Sequence, residues 1–269
     1  MIYEPGIYKN VSFNEYLAIK ALSRSEKVKL LQSPSHYMHG EKKETPAMYF
    51  GSAYHLSALQ PELLEKEYAV RPEGMDFRGA IGKAWKAQAE AAGKKIVTHE
   101  ESDDMFYMSK RLWNHPTITP LLQNGEPELT IIWKHPDTEI LCKARLDWVN
   151  MEKHIILDLK SCQDARLSKF ANHAWDLKYH IQAADYQYGL YCVTKIEHPF
   201  YFIAQEKTAP YEPKLYRASQ RFINKGQVEV ARAIAIYQEC LKSGKWPGYS
   251  EEEEELQPPA WVKDNPIIE

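Results

Sequence analysis

Ile140-Leu141-Cys142-Lys143-Ala144-Arg145-Leu146-Asp147-Trp148-Val149, then Asn150-Met151-Glu152-Lys153, then His154-Ile155-Ile156-Leu157-Asp158-Leu159-Lys160, is the stretch that decides the fold. An apolar, loosely alternating run and a β-branched run flank four residues polar enough to turn, which predicts a β-hairpin. Side chains alternate faces along a strand, so Asp158 and Lys160 point one way while Leu157 and Leu159 point into a core. Asp147 is expected at the end of the first strand, where pairing brings it beside Asp158. Two carboxylates facing one space repel unless a cation neutralises them, and hard oxygen ligands suit Mg²⁺ or Mn²⁺. Lys160 then stands where it holds or deprotonates an attacking water. Such a set is a minimal kit for phosphodiester hydrolysis; the bland alternative is a surface hairpin with a Lys–Asp pair.

Outward from the hairpin, the chain reads as a mixed α/β fold: a central mixed sheet flanked by helices, with a helical N-terminal cap. Capping boxes at Ser12-x-x-Glu15 and Ser23-x-x-Glu26 announce two helices, the second ending before Ser33-Pro34. Further helices are expected over Ala47–Leu59 and Glu100–Trp113. One long helix is expected over Ser168–Val193, and another over Ser219–Ser243, ending at Gly244. Strands are expected at Glu128–Trp133, Ile140–Val149, His154–Ser161 and Phe200–Gln205. We read one domain over residues 1–249, helical to 125 and catalytic from 126, followed by an acidic tail over 250–269.

Charge is unevenly placed. The whole chain of 269 residues carries a net −3, but residues 250–269 hold seven acids against Lys263 alone, leaving residues 1–249 at +3. Any nucleic-acid contact must therefore come from a local groove and not from a global field. Residues 70–97 are the candidate, being basic with interleaved aromatics. Arg78, Lys83 and Lys86 there belong either to a DNA-contacting arch or to a solvated helix. The four cysteines form no C-x-x-C pair, which argues against zinc ribbons and tight iron–sulfur clusters. No secretory segment or run of about 20 apolar residues is present, so a soluble, cytoplasmic protein is expected. Gly79-Ala80-Ile81-Gly82-Lys83-Ala84 is not a phosphate-binding loop, and no G-x-S-x-G elbow exists.

Other residues gain interest from their spacing. His55 has Gly51 at i−4, which clears room beside its ring. Glu128 or Glu126 offers a third carboxylate on the strand before Asp147. Gln182 and Tyr186 share a helix face, either packing on the sheet or orienting the lysine or a phosphate. Ser161 donates to a phosphate or simply closes its strand.

Taken in order, Gly51-x-x-x-His55, Glu128, Asp147, Asp158-x-Lys160 and Gln182-x-x-x-Tyr186 resemble the signature of the RecB-like branch of the PD-(D/E)xK nucleases. The flanks narrow the resemblance. Leu22-Ser23-x-Ser25 through Ser33-Pro34-x-His36-Tyr37, Gly244-x-Trp246-Pro247-Gly248-Tyr249 and Pro259-x-Trp261 look like the RecE-type (exonuclease VIII) nuclease domain. The resemblance implies a nuclease that degrades one strand of linear duplex DNA from the 5′ end, leaving a 3′ overhang for recombination. It also implies a ring homo-oligomer, a tetramer, acting at double-stranded DNA ends beside a RecT-like single-strand annealing protein. Carried over by position, His55, Asp147, Asp158 and the carbonyl of Leu159 would bind metal. Lys160 would be the catalytic lysine, with Glu128, Gln182 and Tyr186 in support. The start of the chain directly at this region suggests a compact phage or prophage form. Three rivals stand beside this reading. An iron–sulfur exonuclease of the CRISPR-associated type needs grouped cysteines, whereas only Cys192 and Cys240 follow the Q-x-x-x-Y helix. A site-selective endonuclease and a non-catalytic DNA-binding module complete the set.

Overall fold

The computed structural model describes residues 3–41 and 45–258. Pro259-x-Trp261 and most of the acidic tail lie outside the described residues, and Ser250–Pro258 carries no helix or strand.

The elements follow the chain. β1 (Gly6–Tyr8), α1 (Phe13–Ala18), β2 (Leu22–Ser23), α2 (Arg24–Gln32) and α3 (Pro34–His39) lead into α4 (Pro46–Leu59) and α5 (Pro61–Glu67). Next come β3 (Tyr68–Val70), α6 (Ala80–Ala91), β4 (Lys95–Val97), α7 (His99–Trp113) and α8 (Thr119–Leu122). The central part is β5 (Glu126–Lys134), β6 (Leu141–Asn150), β7 (Ile155–Cys162), α9 (Leu167–Asp176) and α10 (Tyr179–Thr194). β8 (Phe200–Glu206), β9 (Pro213–Arg217) and α11 (Gln220–Ser243) complete the order. Both expected capping boxes form, each serine accepting from the glutamate amide while the glutamate reaches back to the serine amide.

The main sheet has seven strands in the order β1-β5-β6-β7-β8-β9, with β2 paired to β6. β7 and β8 run parallel and β5, β6 and β7 antiparallel, so the sheet is mixed as expected. The parallel step requires a crossover, which α9 and α10 supply. One face buries Leu30, Trp133, Phe202 and Ile234 beneath α2, α10 and α11; the other buries Tyr54, Met108, Leu157 and Leu159 beneath α4 and α7. A separate parallel pair, β3 and β4, is bridged by α6.

Two expectations need correction. The helix expected over Ser168–Val193 is two helices, broken at Leu177–Lys178, where Lys178 has φ 58°. Arg24 donates to the carbonyls of Leu177 and Lys178, so the break has its own partner (2.9 Å to Lys178). A continuous amphipathic pattern hid it, because no proline or glycine marks the position. Asp147 does not end its strand either: β6 continues to Asn150.

The two flanking motifs, some 200 residues apart in the chain, meet in space. Ser35 N donates to Pro247 O at 3.0 Å, and Tyr37 stacks on Trp246 with ring centroids 5.3 Å apart. The His36 and Tyr249 rings lie 5.4 Å apart.

Candidate active site

β6 is irregular where the site lies. Cys142, Ala144 and Leu146 face the α10–α11 core, and so does Val149, whereas Trp148 faces the α4–α7 core. The alternation of faces therefore shifts by one at Asp147. Its neighbour across the ladder, Glu128, stands between the pairs Pro127↔Trp148 and Leu129↔Leu146 and has φ 51°. A left-handed conformation at a non-glycine residue costs about 1–2 kcal/mol and persists only where the surroundings enforce it. The β6–β7 ladder stops at Trp148↔Leu157, one step short of Asp147 and Asp158. Beyond it, Asp147 Oδ2 accepts from the Leu159 amide at 3.0 Å, a ladder donor met by a side chain in place of a backbone carbonyl.

This local distortion gathers three ligand types. One donor atom each from His55, Glu128 and Asp147 lies within 4.8 Å of the others, and all three residues are half-buried. His55 is carried on α4, where Nδ1 comes within 3.5 Å of Asp147 Oδ2 and the ring also bonds the Leu159 carbonyl. Gly51, one turn earlier, gives no direct clearance to the His55 ring; a Cβ there would lie 3.8 Å from Ser161 Oγ, so it faces β7. The structure selects between the two glutamates. Glu126 pairs with Lys9 at the surface at 2.6 Å, while Glu128 turns inward and pairs with Arg145 at 3.0 Å.

Asp158 and Lys160 share a face, as alternation requires. Asp158 is 1% exposed; its Oδ1 accepts from Gln182 Nε2 at 2.5 Å and its Oδ2 touches Lys160. Lys160 Nζ also lies 5.0 Å from the centre of the Tyr179 ring. Asp158 is thus held by Gln182 and Lys160.

Electrostatics match the crowding. Burial, opposed in part by Arg145 and reinforced by Asp147 and Asp158, pushes Glu128 up to about 8. Burial likewise raises Asp147, and raises Asp158 to about 6. His55 falls to about 4, through burial first and the Lys160 charge second. For Lys160 the burial effect is outweighed by the Asp158 and Asp147 carboxylates, so it is held as an ammonium. The carboxylates resist ionisation and the imidazole resists protonation chiefly because the site is buried. Its hard oxygen and imidazole donors fit a divalent cation.

The cluster opens into a cleft of about 1480 Å³, lined among others by Tyr16, Arg24, His55, Glu128, Arg145 and Tyr186. Tyr186 lies one turn after Gln182 on α10, so the expected shared face exists. Ser161 sits on β7 beside Gly51. Arg78, Lys83 and Lys86 are not brought here; they lie on or just before α6, outside the cleft lining. Arg145 and Tyr179 are the contributors that sequence reasoning passed over. Each carried a signal: Arg145 is two residues from Asp147 on one strand, and Tyr179 is three before Gln182 on one helix.

Residues 18–258 match the family described as a PDDEXK-like domain of unknown function (DUF3799). The chain belongs to that family. Its PDDEXK-like fold also resembles solved structures at low identity. A protein from Eubacterium rectale described as a "putative exonuclease" superposes with a TM-score of 0.60 at 12% identity, covering 87% of this chain and 85% of that one. A phage-related exonuclease from Haemophilus somnus is matched with a TM-score of 0.30 at 12% identity, over 72% of this chain and 95% of the other. No curated protein matches the PDDEXK-like chain in sequence. Among its described residues no helix is long and apolar enough to cross a membrane.

Proposed function

We propose that the chain is a divalent-metal-dependent exodeoxyribonuclease that degrades one strand of linear duplex DNA from its 5′ end, leaving a 3′ overhang for annealing. The observation that carries this is the His55–Glu128–Asp147 donor set at the mouth of the cleft, backed by Asp158 and Lys160. His55, Glu128 and Asp147 would hold the metal, with Asp158 and the Leu159 carbonyl beside them. When bound, Mg²⁺ or Mn²⁺ would polarise the scissile phosphate and lower the pKa of a coordinated water. Lys160, kept protonated by Asp158, donates a hydrogen bond that orients the water or the phosphate and stabilises the charge that develops on it. Gln182 fixes Asp158, and through it Lys160. Water adds to phosphorus, the P–O3′ bond breaks, and the leaving 3′ oxygen takes a proton, releasing 5′ mononucleotides.

In this reading the enzyme acts as a ring homo-oligomer, a tetramer, threaded on a DNA end and coupled to a RecT-like annealing protein. A closed assembly lets a mildly charged subunit remain on its substrate at physiological salt. The test is digestion of end-labelled linear duplex and covalently closed circles, each with Mg²⁺, Mn²⁺ or chelator. Metal-dependent release of 5′ label, with intact circles, is expected. Attack on closed circles would replace the exonuclease reading with an endonuclease, and digestion in chelator would remove the metal from the mechanism.

A further inference from the structure

Beside the catalytic cleft lies a second, smaller groove of about 430 Å³, lined by β4, α6, Tyr49 of α4 and the loop over residues 71–79. We propose that it binds the phosphodiester backbone of the DNA strand as that strand passes to or from the cleft. The inference rests on the nuclease reading above and adds a binding site to it.

The groove is built, not merely decorated with lysines. Arg71 and Lys86 both stand against the Phe77 ring, each cation 5.6 Å from its centre, and Phe77 lies nearly parallel to Trp85 at 6.3 Å. Rings that hold cations this way fix their positions and reduce the entropy lost when an anion is bound. The loop is tied down by Asp76, whose Oδ1 accepts from the amides of Arg78 (2.9 Å) and Gly79 (3.2 Å). It lies so close to α6 that a Cβ on Gly82 would be 1.7 Å from the Asp76 carbonyl oxygen. Lys94 and Lys95 complete the basic lining, and the one acid among its described residues, Glu90, makes an exposed i,i+4 pair with Lys86 at 3.6 Å.

Charge and position point to DNA. Residues 71–98 carry six basic and three acidic side chains in a chain whose net charge is −3. Lys95 lines both the groove and the catalytic cleft. Tyr49 at the groove and His55 at the metal cluster lie six residues apart on α4, which is about 9 Å along a helix. A strand seated at His55 therefore passes the groove within a few nucleotides. Contacts of this kind read phosphates, not bases, so the groove adds affinity without sequence preference.

The test is the salt dependence of binding to single-stranded and duplex oligonucleotides by the full chain, measured in chelator to prevent hydrolysis. Each phosphate contact contributes a slope of roughly 0.7 to 0.9 in log K against log salt. Replacing Arg71, Lys86 and Lys94 together by Gln is expected to make the slope shallower by about two to three. At 0.1 M salt, each lost contact is expected to weaken binding by about tenfold. Arg71→Lys with Lys86→Arg should keep the slope, and Lys225→Gln, the loss of one charge on exposed α11, should leave it unchanged. If the triple variant is misfolded by circular dichroism, Lys86→Gln alone should still lower the slope by about one. A slope equal to that of the unsubstituted protein overturns the groove, as does a loss in the Lys225 variant equal to that of Lys86→Gln alone. Failure of the unsubstituted chain to digest DNA removes the nuclease reading, yet a reduced slope in the groove variants would still support the binding site.

Discussion

Gln182 on α10 donates to Asp158 on β7 at 2.5 Å, and the oxygen that Gln182 leaves free is the one touching Lys160. A helix on one face of the sheet thereby sets the orientation of the carboxylate that holds the lysine. Groups that orient a site in this way typically account for 10–100-fold in activity. Gln182→Ala should lower turnover by about that factor while leaving DNA affinity in chelator unchanged. Unaltered turnover would mean that packing alone orients Asp158.

Lys160 and the metal cluster are separable. Lys160→Ala removes the charge that stabilises the reacting phosphate, yet none of His55, Glu128 and Asp147 depends on it for its place. Turnover should fall by several orders of magnitude while Mn²⁺ affinity, followed by calorimetry, stays within a few-fold. Parallel loss of metal binding and turnover would make Lys160 a structural counter-ion.

The metal site should be strongly pH-dependent. Glu128 and Asp158 are raised to about 8 and about 6 in the folded protein, above ordinary carboxylate values. A group raised on folding binds more protons folded than unfolded, so its stabilising effect is full at low pH and is lost as pH rises through the folded value. The metal-free protein should therefore lose melting temperature between about pH 5 and pH 8. Added Mg²⁺ should raise the melting temperature most at the upper end of that range, because binding releases the Glu128 proton. A Mg²⁺ effect that is flat with pH would show that Glu128 is not a ligand.

The pair Lys27–Asp185 ties α2 to α10 in the core, with distances of 2.6 and 2.8 Å and side chains 0% and 1% exposed. Lys27→Met leaves a buried carboxylate without a partner and should cost about 3–5 kcal/mol in urea unfolding. The double change Lys27→Met, Asp185→Leu should recover most of that loss. If the single change is silent, water reaches the pair.

Gly226 marks the close approach of α11 to α10: a Cβ there would lie 1.9 Å from the His180 carbonyl oxygen. Because that oxygen is backbone, the helices must separate, and Gly226→Ala should destabilise by about 1–3 kcal/mol. The melting temperature reports it directly.

Local chemistry was enough for much of this molecule. Capping serines with a glutamate three residues on define where α1 and α2 start, Gly244 defines where α11 stops, and apolar runs rich in β-branched or aromatic residues mark β6, β7 and β8. The shared face of Asp158 and Lys160 follows from alternation alone, and that of Gln182 and Tyr186 from the helical repeat. These are properties of a few neighbouring residues and need no partner from elsewhere. What tertiary structure decided is what depends on distant surfaces. The break at Lys178 is stabilised by Arg24, 154 residues earlier. The choice of Glu128 over Glu126 rests on a positive φ and a shift of alternation at Asp147, which sequence periodicity assumes away. The placement of Arg78, Lys83 and Lys86 outside the cleft depends on how α4 and α6 pack. Packing is a sum of many weak long-range contacts, and no short window of residues contains it.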